Sequence, residues 1–228
     1  MKIHIYQDDA CKEPAAEAKS ASIVYLNVFE GDGADVWEEC RKLHVPPMNL
    51  VVFSGLSWDE QLSPWAAEPV FKGDNFTGGA DEYLRWMEEA IHKIEKNELK
   101  IDGKPEWRGL AGYSLAGLFA VFAAYQTELF NGIASASGSF WFPEFTEFIK
   151  YTEPKSPLKC AYFSLGSKES KVRNPVMSTV LNKTKEAERI LAAKGIQTIF
   201  EENPGNHFND SALRTAKGIK WMLENSRI

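Results

Sequence analysis

Cysteine is scarce in this sequence, and basic charge is not in excess. The 228 residues include three cysteines, Cys11, Cys40 and Cys160, which lie far apart without a CxxC spacing or a nearby histidine cluster. This pattern favours reduced, structural thiols over a disulfide framework or a metal site. The 26 basic residues are outnumbered by 32 acidic ones, for a formal net charge of -6. Nothing in this balance attracts nucleic acid or an anionic membrane, so neither is expected as a partner.

The sequence also lacks a long hydrophobic run. Residues 1–20 alternate apolar with polar side chains and have no continuous apolar core of the kind found in a signal peptide. No later stretch offers about 18 clean apolar residues, because the most apolar segment, 107–125, is interrupted by Ser114 and by glycines. We therefore expect a cytoplasmic protein without a membrane span. The length favours one α/β domain over residues 1–228.

The segment 107–125, WRGLAGYSLAGLFAVFAAY, carries the strongest functional signal. A short hydrophobic run ends in GYSLAG, and an almost wholly apolar helical stretch follows. This is the pattern of a nucleophile elbow, G-x-S-x-G, in which small residues allow a strand to turn sharply into a helix. Ser114 would lie at the helix N-terminus, where free N–H groups favour a developing negative charge. We interpret Ser114 as a nucleophile rather than as part of an ordinary turn.

Alternating and apolar segments predict an α/β architecture. Strands are predicted at 2–6, 22–29, 49–53, 132–137, 158–165 and 196–200, and also directly before Ser114. Helices are predicted at 34–43, 80–99, 174–194 and 210–224, and also directly after Ser114. The first two strands are interpreted as an antiparallel pair, and the others as a mostly parallel sheet with helices on both faces. The aromatic stretch 58–79 predicts a structured loop over a binding site.

A serine hydroxyl needs a base to accept its proton, and histidine has the matching pKa. The chain has four histidines, and only His207 follows the serine, as the chain order of this type of hydrolase requires. His207 comes after the last predicted strand, so both residues are expected at the same edge of the parallel sheet.

The acid that orients the imidazole should lie between the serine and the histidine, also after a strand. Glu169 meets this requirement, whereas a solvated surface glutamate is the alternative interpretation. Glu144, Glu201 and Asp210 are reserve candidates, although Asp210 is better placed to cap the last helix.

Acyl transfer also needs hydrogen-bond donors for the oxyanion. One is the backbone N–H of Leu115, directly after the nucleophile. The second is expected in the loop after the strand 49–53, where the N–H of Leu56 is the candidate. Trp58 or Trp141 is expected to line the substrate pocket.

Four segments resemble the esterase D family of α/β hydrolases. FSGLSWDEQ at 53–61 is similar to the S-G-L-T-C-x-E-Q loop of that family, and GYSLAG at 112–117 to its elbow. GSKE at 166–169 occupies the place of the family's G-x-x-D, and the turn around His207 follows in the same order. The resemblance implies an α/β-hydrolase fold without a large lid. It also implies hydrolysis of carboxylic esters or thioesters by Ser114, His207 and Glu169, with no metal or organic cofactor.

The sequence therefore predicts a serine esterase that acts on a small carboxylic ester through an acyl-enzyme. Two alternatives stay open: a catalytically silent hydrolase fold that serves as a binding protein, and an acyltransferase that uses the same three residues.

Overall fold

A seven-stranded sheet forms the centre of the computed structural model, which describes residues 1–8, 11, 22–70 and 72–226. The strands are β1 (Lys2–Gln7), β2 (Ser22–Asn27), β3 (Met48–Ser54), β4 (Arg108–Tyr113), β5 (Gly132–Ala136), β6 (Cys160–Gly166) and β7 (Gln197–Asn203). They are arranged in the order β1-β3-β2-β4-β5-β6-β7. All strand pairs are parallel except β1–β3, so the mostly parallel sheet predicted from the sequence is confirmed.

The pairing of β1 differs from the prediction. β1 is antiparallel to its neighbour, as expected, but that neighbour is β3, with Ile3 opposite Phe53. β2 instead lies between β3 and β4 and is parallel to both. Every residue of β3 is buried, so this strand needs a neighbour on each side. Adjacency along the chain favoured a β1–β2 pair, and the burial of β3 overrides it.

Helices cover both faces of the sheet, as predicted. They are α1 (Ala34–Lys42), α2 (Trp58–Leu62), α3 (Ala80–Asn97), α4 (Leu115–Gln126), α5 (Phe145–Tyr151), α6 (Val180–Ala193) and α7 (Ser211–Glu224). One core cluster contains buried side chains of α3, α4, α5 and α6, and the other contains those of α1 and α7. Neighbouring β2 residues alternate between the two clusters, as the pleat of a strand requires. No helix in the described ranges combines the length and the apolarity needed to cross a membrane.

Three local features depart from the helix prediction. The helix expected over 174–194 begins only at Val180, after a 3-10 turn at Met177–Thr179. Asn174 explains the late start, because its Oδ1 accepts the N–H groups of Val176 and Met177 and holds a turn there. Helices α2 and α5 were not predicted, and α2 begins the stretch 58–79 that was predicted as a loop.

The cysteines are free thiols. Cys40 and Cys160 are buried, and burial raises the pKa of each thiol to about 12. Cys11 is half-buried, and burial raises the pKa of its thiol to about 11. Within the described part of the chain, no group of three or more His, Cys, Asp or Glu side chains could hold a metal ion.

The sheet brings three chain segments to one edge. β4, β6 and β7 are parallel members of the sheet, and Ser114, Glu169 and His207 follow their respective carboxyl ends. In parallel strands these ends lie at the same edge, which is where α/β proteins generally place their ligand sites.

Candidate active site

Ser114 lies on a sharp turn between β4 and α4. Its backbone has φ 59° and ψ -125°, a left-handed conformation that is strained for any residue with a side chain. The turn is anchored, since the Ser114 N–H donates to the carbonyl of Ala136 at 3.1 Å. A Cβ at Gly112 would collide with the Ala116 carbonyl, which explains why the residue two before the serine is glycine. The geometry is that of a nucleophile elbow.

The Ser114 hydroxyl contacts an imidazole. Its Oγ lies 3.0 Å from Nε2 of His207. The other ring nitrogen, Nδ1, lies 2.7 Å from Oε2 of Glu169. Hydroxyl, imidazole and carboxylate therefore form one hydrogen-bonded chain, in the arrangement that activates a serine nucleophile. The structure brings together the three side chains that the sequence singled out, and their catalytic roles stay predictions.

Glu169 is buried, with only 3 % of its side chain exposed. Its Oε1 accepts hydrogen bonds from the Gly166 N–H at 2.6 Å, the Ser137 hydroxyl at 2.8 Å and Arg214 Nη1 at 3.1 Å. Burial alone would raise the pKa of Glu169, but the hydrogen bond and charge of His207, with the Gly166 and Ser137 donors, hold it below its ordinary value. The carboxyl group is therefore ionised at neutral pH and can orient and stabilise an imidazolium.

The reserve acids have other surroundings. Glu144 occupies the N-cap position of α5. Glu201 forms an ion pair with Lys217 at 2.6 Å. Asp210 occupies the N-cap position of α7, as expected, but its side chain makes no capping hydrogen bond. Among the described carboxylates, Glu169 is the one in contact with His207.

Arg214 is a site residue that the sequence reasoning missed. Its side chain is 1 % exposed and forms an ion pair with Glu169. Nη1 also donates to the Ser137 hydroxyl and to the Tyr113 hydroxyl, at 3.3 and 3.2 Å. Nη2 donates to the Pro204 carbonyl at 2.7 Å. One guanidinium thus connects the carboxylate, the strand before the nucleophile and the turn before the histidine.

Tyr113 completes this network. Its hydroxyl donates to the carbonyl of His207 at 2.6 Å, which fixes the histidine backbone relative to β4. A sequence signal for Arg214 existed, because it lies one helical turn from Gly218 on the buried stripe of α7. A charged side chain at such a position needs a buried partner.

A cavity of about 460 Å³ opens beside Ser114 and His207. Its lining is Leu26, Asn27, Val28, Phe29, Glu30, Asp35, Val36, Trp58, Tyr113, Ser114, His207, Phe208, Ser211, Ala212 and Thr215. Trp58, one of the two predicted pocket residues, lies in this lining. Trp141 does not, and its ring instead packs against Phe76 with centroids 6.1 Å apart.

The two expected oxyanion donors, the N–H groups of Leu115 and Leu56, differ in their position relative to the cavity. Leu115 is the first residue of α4, and the first N–H groups of a helix have no intrahelical partner. Leu56 does not belong to the lining of the cavity, as far as the described residues define it. The reason is the strand order, since β2 rather than β3 is the neighbour of the nucleophile strand β4.

The loop after β2 borders the cavity instead. Val28, Phe29 and Glu30 all line it. The Val28 N–H is already used, because it donates to the Phe53 carbonyl at 3.0 Å. The next N–H, that of Phe29, has no backbone acceptor among the described residues.

Solved structures that are similar to this chain share its architecture. No protein-family model matches the sequence. An uncharacterized protein of Bacillus subtilis (strain 168), YbbA, is 26% identical over 232 residues, covering 97% of this chain and 90% of that protein. Solved structures at lower identity include the siderophore hydrolases EstA and EstB from Aspergillus nidulans. EstA has a TM-score of 0.67 at 20% identity, covering 97% of this chain and 89% of its own.

EstB has a TM-score of 0.68 at 17% identity, with 99% of this chain and 91% of its own covered. The enterobactin hydrolase IroE, in complex with DFP, has a TM-score of 0.63 at 20% identity, with 92% and 84% covered. The chain has the α/β-hydrolase fold. The seven-stranded sheet and the elbow at Ser114 are the features of that fold described above. The narrower resemblance to the esterase D family stays a prediction.

Proposed function

We propose that the protein is a serine hydrolase that cleaves small carboxylic esters through an acyl-enzyme. The observation that carries the proposal is the continuous contact from Ser114 Oγ to His207 Nε2 at 3.0 Å and from His207 Nδ1 to Glu169 at 2.7 Å. The names of EstA, EstB and IroE, all hydrolases, support a hydrolytic reaction. Ser114 is the nucleophile, His207 the general base and acid, and Glu169 the group that orients the imidazole.

The reaction runs in two halves. Ser114 Oγ attacks the ester carbonyl while His207 Nε2 takes the hydroxyl proton, and a tetrahedral oxyanion forms. The oxyanion collapses, the carbon–oxygen bond to the alcohol breaks, and His207 returns the proton to the leaving alcohol. Water then attacks the acyl-enzyme in the same way, with His207 as base, and releases the acid and free Ser114.

The oxyanion needs two donors. The Leu115 N–H is the first, as the sequence suggested. For the second, the N–H of Phe29 replaces that of Leu56 in our proposal, because the loop after β2 borders the cavity. Both are backbone groups, so side-chain substitutions at these leucine and phenylalanine positions should preserve the donors.

Ser114→Ala tests the proposal. Its kcat on p-nitrophenyl acetate should fall at least about a thousandfold, because the proposed nucleophile is removed. Ser139→Ala is the matched control, since its hydroxyl lies 3.4 Å from Ser114 Oγ and makes no contact with the imidazole. The control should stay within about tenfold of wild type. A Ser114→Ala enzyme with most of the wild-type activity would rule out the acyl-enzyme, and an inactive wild type would favour a binding protein.

A further inference from the structure

The cavity beside Ser114 is lined by two carboxylates and, among the described residues, by no lysine or arginine. The carboxylates belong to Glu30 and Asp35. The remaining polar lining, apart from the Ser114–His207 pair, consists of neutral amide and hydroxyl groups. A substrate in this cavity therefore meets a negative potential.

Neither of these two carboxylates, Glu30 and Asp35, forms an ion pair with a described residue. The Oδ1 atom of Asp35 accepts the N–H of Val36 at 2.8 Å. Asp35 belongs to α1, in which Glu38 and Glu39 pair with Arg41 and Lys42. Asp35 is thus the acidic residue of α1 without an ion pair, and it lines the cavity.

Two exposed aromatic rings, those of Phe29 and Phe208, line the cavity. Phe29 is 64% exposed and packs edge-on against Trp58 with ring centroids 5.2 Å apart. Phe208 is 89% exposed and packs edge-on against the His207 ring at 5.5 Å. Large apolar side chains left in water beside a reactive group mark a surface that a ligand covers. Aromatic faces combined with carboxylates are the features that recognise organic ammonium groups.

We propose that this cavity selects esters that combine an apolar or aromatic group with a positive charge, and that it disfavours anionic esters. The proposal rests on the function proposed above, because it places the ester bond at Ser114. The aromatic rings contact the apolar part of the substrate, and Glu30 and Asp35 attract the cation. An anionic substrate of the same shape is repelled by the same two groups.

Three 4-nitrophenyl esters test this selectivity. Their acyl chains have equal length and end in a tert-butyl, a trimethylammonium or a sulfonate group, so that the leaving group is the same and each end group is tetrahedral. At low ionic strength we expect kcat/KM in the order cationic, neutral, anionic, with about tenfold between the extremes. The ratio should shrink as salt screens the carboxylates.

Matched variants identify the source of the selectivity. Glu30→Gln/Asp35→Asn removes both cavity charges and should reduce the cationic-to-anionic ratio to within about twofold. Glu98→Gln/Glu128→Gln removes the same number of charges at the opposite edge of the sheet and should leave the ratio as in wild type. Asp35→Asn keeps an oxygen for the Val36 N–H, so local structure is retained.

Binding to the Ser114→Ala variant separates this proposal from the proposed function. Calorimetric titration with the same uncleaved esters measures charge preference without any chemical step. Hydrolysis of the neutral ester by wild type with equal or reversed preference for charge would overturn the selectivity and leave the hydrolase intact. Absence of hydrolysis for all three esters would overturn the hydrolase, and the titration would still decide the preference for charge.

Discussion

Two buried arginine–glutamate pairs lie at opposite edges of the sheet. At the amino edge, Arg108 donates from Nε and Nη2 to both oxygens of Glu95, at 2.6 and 2.8 Å. The hydroxyl of Tyr25 donates to the same carboxylate at 2.7 Å. At the carboxyl edge, Arg214 contacts only Oε1 of Glu169 and leaves Oε2 for an imidazole.

The two pairs show that a buried ion pair does not by itself indicate a catalytic site. Their side chains are buried to a similar extent, with 4 and 6 % exposed in one pair and 1 and 3 % in the other. The difference is the third partner, which is a phenol for Glu95 and the ring of His207 for Glu169. Only the second arrangement connects a carboxylate through a titratable base to a hydroxyl.

Neutralising Glu169 in one variant and Glu95 in another should give the largest difference in kcat between the two pairs. Glu169→Gln is expected to lower kcat at least about a hundredfold, because an amide cannot stabilise the imidazolium and favours the wrong tautomer. Glu95→Gln makes the same chemical change at the other edge and should leave kcat within about threefold of wild type, whatever its effect on stability. Steady-state hydrolysis of p-nitrophenyl acetate measures both. Equal losses in the two variants would contradict the distinction.

Replacement of either arginine should destabilise the protein, but only replacement of Arg214 should slow the reaction. Arg214→Met and Arg108→Met each leave a buried carboxylate without its partner, which typically costs about 3–5 kcal/mol of the free energy of unfolding. Arg214→Met should also lower kcat by about tenfold, because Arg214 positions Glu169 and the turn at Pro204, while KM changes little. Urea unfolding and steady-state kinetics check the two effects. A normal kcat in Arg214→Met would reduce its role to stability.

The loss of stability at acidic pH should depend on Glu169. Its pKa is below the ordinary value of 4.5 in the folded state, so its contribution to stability is fully present above that value. The contribution is lost as the pH falls through the lower, folded-state pKa. Wild type should therefore lose stability more steeply below about pH 4.5 than Glu169→Gln does. Urea unfolding at several acidic pH values gives the slopes, with the exposed Glu128→Gln expected to behave as wild type.

Replacement of Tyr113 and of Tyr25 by phenylalanine should give the smallest difference in kcat between the two edges. Tyr113→Phe removes the hydrogen bond to the His207 carbonyl, and we expect kcat to fall about threefold to tenfold through looser positioning. Tyr25→Phe removes the hydrogen bond to Glu95 and should affect only stability, by about 1–2 kcal/mol. Activity assays and thermal unfolding on the same preparations distinguish them. A loss of kcat in Tyr25→Phe would mean that the amino edge also influences the site.

Contact between Ser114, His207 and Glu169 could be anticipated from the sequence because local patterns determine where each residue lies. The elbow at Ser114 can be recognised because glycines and a strand-to-helix change are local requirements, and Glu169 and His207 follow from their places after strands. Strand neighbours are not local, and for that reason the partner of β1 was predicted incorrectly. The same cause explains why we propose Phe29 in place of Leu56 as the second oxyanion donor, because Leu56 follows β3, which is not adjacent to β4.

Arg214 and Tyr113 depend on long-range pairing. Nothing in the sequence around Arg214 indicates that it pairs with Glu169. Likewise, nothing around Tyr113 indicates that it donates to the His207 carbonyl. Arg214 could have been noticed as a charge on a buried helix stripe, but its partner becomes known only when α7 packs against the sheet.

Labelling with a fluorophosphonate tests the central claim most directly, since such probes react with an activated serine. Intact-mass measurement should show one label per chain, and peptide mapping should place it on Ser114. The label should be absent in Ser114→Ala and strongly slowed in His207→Ala. Wild-type protein that stays unlabelled, or that carries the label on another residue, would contradict the account.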